Sequence, residues 1–267
     1  MTQSSSTFVR SLTSPKSEYN KYIIHQFSDN SVSIINKSSL SEAEKQVLLG
    51  LLECGNIMQF PGGIGLDYKA PFKTLYIPSY MKAAREKIAK EIQKRNANCI
   101  VGPDISALFW ARDLSFAASD MPIIRVQKDG KQSKSDYQAS LTSYTKGSED
   151  VLYFDTVSLK HALKKHNNSL RLFLADEIAD TGKMLELLCT LIQNMQNDGI
   201  DVTVVGAGVI IEKTYTQAKE LLHKNFNIPL FSALSISDMW LANEKEKISS
   251  AIVVKGISDK AFAFKNQ

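Results

Sequence analysis

Hydrophobic positions along this chain fall into two patterns, short unbroken runs and runs at three- and four-residue spacing, which alternate from about residue 78 onward. Pro78 opens the first helical stretch, in which Met81, Ala84, Ile88 and Ile92 share one face through about Arg95. Residues 99–101 are a short apolar strand ended by Gly102-Pro103, and a helix over 105–118 leads to a strand at 123–126. A polar stretch at 127–135, rich in Lys, Ser, Asp and Gly, predicts a mobile loop, and 137–144 an extended return strand. After a helix at 159–165, the run 170–175 reads as a buried strand that stops at Asp176-Glu177. Beyond it follow a helix over 183–197, a strand over 202–211 interrupted by Gly206 and Gly208, a helix over 216–224 and strands at 230–234 and 251–254. Strands alternating with crossover helices predict an α/β fold: an open, mostly parallel sheet with helices on both faces.

Upstream the pattern is weaker. Ser41-Glu42-Ala43-Glu44 has capping-box spacing ahead of an apolar run at 47–52, so a helix should start there and end by Gly55. Nine of the first twenty residues are Ser or Thr, so residues 1–38 read as a flexible extension. Residues 39–240 then form the α/β domain with N-terminal hood elements, and 241–267 a tail carrying the strand at 251–254. Apolar residues at 43% and charged residues at 22% of 267 fit an ordinary globular protein, and no apolar run is long enough to cross a bilayer. Three scattered cysteines, Cys54, Cys99 and Cys189, argue against a disulfide framework or structural zinc and for a reducing, cytoplasmic compartment. A net charge of +4 is a mild excess that suits anionic small ligands as well as it suits nucleic acid. Residues 1–68 show neither a helix-turn-helix nor a concentrated basic face, so nucleic acid is not an expected partner.

The chemistry concentrates in residues 172–183, LFLADEIADTGK. A buried strand delivers Asp176 and Glu177 to its carboxyl edge, where open parallel sheets bind ligands. The Thr181-Gly182 turn then starts a helix whose free N–H groups suit a phosphate; Thr181 adds a hydroxyl, and Gly182 lets the backbone approach the anion. The two acids would bind ribose hydroxyls directly or through Mg²⁺, which keeps several waters and prefers oxygen ligands. The bland alternative is a solvated pair capping the next helix.

This segment resembles the phosphoribosyl pyrophosphate (PRPP) motif of the type I phosphoribosyltransferases. Asp180-Thr181-Gly182-Lys183 is most similar to the hypoxanthine-guanine enzymes, and residues 137–146 (YQASLTSYTK) and 209–217 (VIIEKTYTQ) to xanthine phosphoribosyltransferases and related purine regulators. Together the likeness spans about 70–240. It implies a phosphoribosyltransferase-type sheet with a small hood, a homodimer, and transfer of the phosphoribosyl group from PRPP to a purine base, with Mg²⁺, giving a nucleoside monophosphate and pyrophosphate. By the same resemblance Asp180 is the general base, Asp176 and Glu177 hold ribose and metal, and Ile178, Ala179, Asp180, Thr181, Gly182, Lys183 and Met184 cradle the 5′-phosphate. Asp104, Ser106 and Ala107 face pyrophosphate, and Lys128 and Lys131 lie in the loop that closes over it, with Lys128 acting in catalysis. Lys213 would meet a purine carbonyl or a phosphate; read without the resemblance it is a surface lysine, and the 127–135 loop a solvated charged one. Tyr137 and Tyr144 would stack on a base or pack on the sheet. Two positions depart from the family pattern: Met184 stands where a hydroxyl is usual, and Ala107 where glycine is. These departures carry the alternative, a catalytically silent PRPP- or nucleotide-binding regulator.

Overall fold

A computed structural model of the chain describes residues 9–10, 22–26, 32–36, 41, 43–44, 46–47, 57–60, 63–66, 78–128, 137–142, 149–240 and 251–254. Its first half holds β1 (Val9–Arg10), β2 (Tyr22–Gln26), β3 (Val32–Asn36), β4 (Ile57–Phe60), β5 (Gly63–Leu66), α1 (Pro78–Lys94), β6 (Cys99–Pro103), α2 (Ser106–Ala117) and β7 (Ile123–Lys128). Then come β8 (Gln138–Thr142), β9 (Glu149–Phe154), α3 (Thr156–Lys165), β10 (Ser169–Ala179), α4 (Lys183–Asn197), β11 (Asp201–Lys213), α5 (Ala218–Phe226), β12 (Leu230–Trp240) and β13 (Ala251–Val254).

The centre of the main sheet is five parallel strands in the order β12-β11-β10-β6-β7. Side chains alternate across it as a strand requires. Phe173 and Ala175 face a core built with Met81, Ile88, Trp110 and Leu114 of α1 and α2, whereas Leu172 and Leu174 face Leu159, Leu185, Leu188 and Leu222 of α3, α4 and α5. Each Leu, Ile, Met or Phe side chain so withdrawn from water contributes on the order of 1.5–3 kcal/mol. The helices therefore cover both faces, and the strands' carboxyl ends are left to form a site.

Two glycines in β11 keep this packing close. A Cβ on Gly208 would lie 2.6 Å from Ile88 and 2.7 Å from Phe173, and one on Gly206 would lie 2.9 Å from Phe173. The sequence reading took these glycines as interruptions; β11 runs through both, because they are where α1 and a phenyl ring approach the strand. The Trp110 indole N–H donates to the Gly208 carbonyl at 3.2 Å, tying α2 to the same strand.

The capping box is formed: Ser41 N–H and Oγ both donate to Glu44 Oε2, at 2.7 and 2.6 Å, and residues 43, 44, 46 and 47 are helical. Four findings differ from the sequence expectation. The first 38 residues, expected to be a flexible extension, supply β1, β2 and β3, which pair in the main sheet. The Ser/Thr-rich composition masks the short Ile- and Val-containing stretches YIIHQ and VSIIN. They join through β13, which lies antiparallel on β12 and parallel to β3, so this part of the chain widens the sheet. The hairpin β4–β5 forms a separate two-stranded sheet. Finally, β10 continues to Ala179 because β11 pairs with it as far as Glu212, and β9, unforeseen from sequence, pairs antiparallel with β7.

Candidate active site

Asp176 and Glu177 lie inside a hydrogen-bonded strand and both are buried, at 9% and 6% exposure, which removes the reading of them as a solvated helix cap. Glu177 is fixed by a side chain 71 residues away: Ser106 Oγ, at the start of α2, donates to its Oε1. Asp176 Oδ1 accepts the Glu177 backbone N–H at 2.9 Å. One contact thus joins the carboxyl ends of β6 and β10, where the resemblance placed the pyrophosphate and ribose groups.

The chain then turns at Asp180-Thr181-Gly182. Gly182 has φ +76° at the N-cap of α4, and a Cβ there would meet Ala218 at 3.0 Å, so both backbone conformation and packing require glycine. The first turn of α4 faces this edge with a positive dipole end. Thr181 is half-buried, Lys183 exposed, and Ile178 and Ala179 belong to the strand. Met184, half-buried, packs against the core under α4, which is the physical reason an apolar residue stands there.

Lys213 is not a surface lysine. Its side chain is 2% exposed and its ammonium is ion-paired with the Asp180 carboxylate. Thr216 Oγ donates to the Asp180 carbonyl and lies 2.6 Å from the Lys213 carbonyl, so the turn after β11 holds the 180–182 loop from behind.

On the neighbouring loop, the Arg125 guanidinium grips Asp104 by two bonds, Nε to Oδ1 at 2.7 Å and Nη2 to Oδ2 at 2.5 Å. The Asp104 hydrogen bond pushes the Arg125 pKa above its ordinary value. The Asp104–Ile105 peptide is cis, and Ala107 is buried in the first turn of α2. Tyr137 is half-buried against the core, which favours packing over stacking. Lys128 ends β7; its side chain, Lys131 and Tyr144 lie outside the described residues. Glu212, missed in the sequence, is a buried acid at the end of β11 whose Oε2 accepts from Ser232 at 2.9 Å. The only sequence signal for it was its place beside Lys213 at a strand end.

The donor set fits Mg²⁺ in one specific way. Among the described residues no cluster of three or more His, Cys, Asp or Glu could hold a metal by itself. Two adjacent carboxylates at a strand end would supply a share of the ligands, leaving the rest to substrate oxygens and water, which is how Mg²⁺ is commonly held.

No protein-family profile matches the chain, and no curated protein does. Solved structures do. Adenine phosphoribosyltransferase from Rhodothermus marinus matches at TM-score 0.54 and 19% identity, over 72% of this chain and 99% of that one. The chain has the phosphoribosyltransferase fold. The Trypanosoma brucei adenine phosphoribosyltransferase, solved with AMP, pyrophosphate and ribose-5-phosphate, matches at 0.54 and 15% identity, over 79% of this chain and 86% of that one. The Saccharomyces cerevisiae enzyme, solved with an imino-altritol bisphosphate and adenine, matches at 0.52 and 14%, over 72% and 98%. At these identities the likeness concerns the phosphoribosyltransferase fold, and the chemistry has to be argued from the residues.

Proposed function

We propose that this chain is a purine phosphoribosyltransferase: PRPP and a purine base give a nucleoside monophosphate and pyrophosphate. The observation that carries this reading is the Ser106–Glu177 contact, which locks a strand-end acid pair to the neighbouring loop beside a helix N-terminus. Asp176 and Glu177 hold the ribose hydroxyls and would hold Mg²⁺, whose charge offsets that of the leaving pyrophosphate. Backbone N–H groups from Ala179 to Met184 hold the 5′-phosphate. Asp104, Ser106 and Ala107 line the pyrophosphate side, with Arg125 positioning Asp104 and with Lys128 and Lys131 closing over it. Asp180 accepts the proton of the purine ring nitrogen, for which its contact with Lys213 has to lengthen. The resemblance further suggests a homodimer. A cytoplasmic site suits Cys99 and Cys189, which are free and buried, with thiols that burial pushes up to about 12.

One observation favours a second reading, a PRPP- or nucleotide-binding protein without turnover: the proposed base, Asp180, is already engaged by a buried ammonium. PRPP consumption with Mg²⁺ over a panel of adenine, guanine, hypoxanthine, xanthine and orotate separates the two. Nucleotide from one purine, with a fall of about 100-fold or more in kcat for Asp180→Asn and little change in PRPP binding, supports the enzyme. PRPP binding with no nucleotide from any base supports the silent protein.

A further inference from the structure

The edge of the sheet opposite Asp176 carries a second concavity, which the proposed reaction does not use. A cavity of about 360 Å³, within the range of small-ligand sites, is lined by Lys94, Arg95, Asn96, Arg171 and Val205. It lies where α1 ends and β10 begins, at the amino end of the strand whose other end bears Asp176 and Glu177. Three of its five lining residues are cationic and none is acidic.

Cations near a helix C-terminus are favourable in themselves, and Arg171 plays that part: its Nε donates to the Asn96 carbonyl and its Nη2 to the Arg95 carbonyl, both at 2.9 Å. Asn98 Oδ1 accepts the Arg171 backbone N–H at 2.8 Å and fixes its base. Capping occupies two of the five guanidinium N–H groups of Arg171 and none of the side-chain donors of Arg95 or Lys94. The Arg95 guanidinium lies over the Phe231 ring, 4.8 Å from its centroid, and its buried Nε has no hydrogen-bond partner among the described residues. The nearby carboxylate of Glu91 stands 3.9 Å from that Nε, beyond hydrogen-bonding reach. Two guanidiniums held in place by stacking and by carbonyls, Arg95 also within ion-pair distance of Glu91, share the lining with Lys94 and keep side-chain donors unused. Their chemical complement is a ligand with several anionic oxygens on adjacent centres.

We propose that this cavity is a second anion site, separate from the proposed active edge, and that it takes a phosphate chain, free or carried by a nucleotide. The test is calorimetric titration of the full chain with inorganic triphosphate at low salt, paired with hydrogen–deuterium exchange. Expected are slowed exchange at residues 94–98 and 169–171, affinity that falls with added salt, and at least tenfold weaker binding in the Lys94→Gln, Arg95→Gln double variant. Arg171 stays intact in that variant because it caps α1. ATP as a second probe assigns the source: equal affinity marks the bare chain as the recognised group, and tighter binding marks a nucleotide. Slowed exchange confined to 104–107 and 176–184, or binding unchanged in a double variant that retains its circular dichroism spectrum, overturns the proposal.

Discussion

At the scale of single residues, the site depends on buried polar groups held by specific partners. Ser106 and Glu177 are the sharpest case. Ser106→Ala leaves a buried carboxylate oxygen without its donor, which costs about 1–3 kcal/mol when no water replaces it. Ser106→Ala should therefore lower unfolding free energy in urea by that order and weaken PRPP binding, whereas Ser106→Thr, which keeps the hydroxyl, should restore much of both. Unchanged PRPP affinity in Ser106→Ala would detach this contact from function. The acids themselves were legible from sequence, because an apolar run ending in Asp176-Glu177 and Thr181-Gly182 has few structural explanations. Their partners were not. Nothing local marks Ser106 as the donor to a carboxylate 71 residues on, and Lys213 reads as a surface lysine until Asp180, which pairs with it, is brought to the adjacent strand end.

Among elements, the decisive unit is β10, its turn and α4, and the neighbouring strands fix how far each part extends. The apolar run ends at residue 175, four residues before β10 does, since acids seldom continue a buried strand. Pairing with β11 through Ala179 and Glu212 carries it on. From sequence Gly206 and Gly208 read as breaks, which periodicity alone suggests, whereas the glycines are fitted to Phe173 and Ile88. Gly208→Ala should consequently destabilise by about 1–3 kcal/mol through overpacking between α1 and the sheet, measured as a lower denaturation midpoint with an unchanged m-value. The Trp110 bond to the Gly208 carbonyl should make the near-ultraviolet circular dichroism of the indole report that shift. No loss of stability would mean that α1 can move off β11 freely.

The whole molecule is a parallel centre with added strands at both edges; the centre, β8 and β13 are foreseen from sequence, whereas β1, β2, β3 and β9 are not. Alternating strands and helices make the order from residue 78 to 234 legible apart from β9; the amino-terminal strands are short, and their apolar runs are too brief to stand out beside a Ser-rich stretch. Their pairing is also long-range, since β3 meets β13 rather than a sequence neighbour. Val253 pairs with Asp238 on one side and Ile34 on the other. Val253→Pro removes a backbone donor from this junction, so amides of β2 and β3 should exchange faster while those of β10 and β6 keep their protection. Loss of protection across the entire sheet would show instead that the added strands and the centre unfold as one unit.

The β3–β13 pair has a consequence for synthesis. During translation β2 and β3 leave the ribosome early, yet the strand that attaches them to the sheet emerges more than two hundred residues later. The parallel centre, complete once β12 is out, has no such wait. A nascent chain should thus pass through a stage in which the centre is built, the free side of β12 is open, and the amino-terminal hairpin has no sheet to join. In that interval, chaperone engagement or pairing with a neighbouring nascent chain would compete with β13 for the β12 edge.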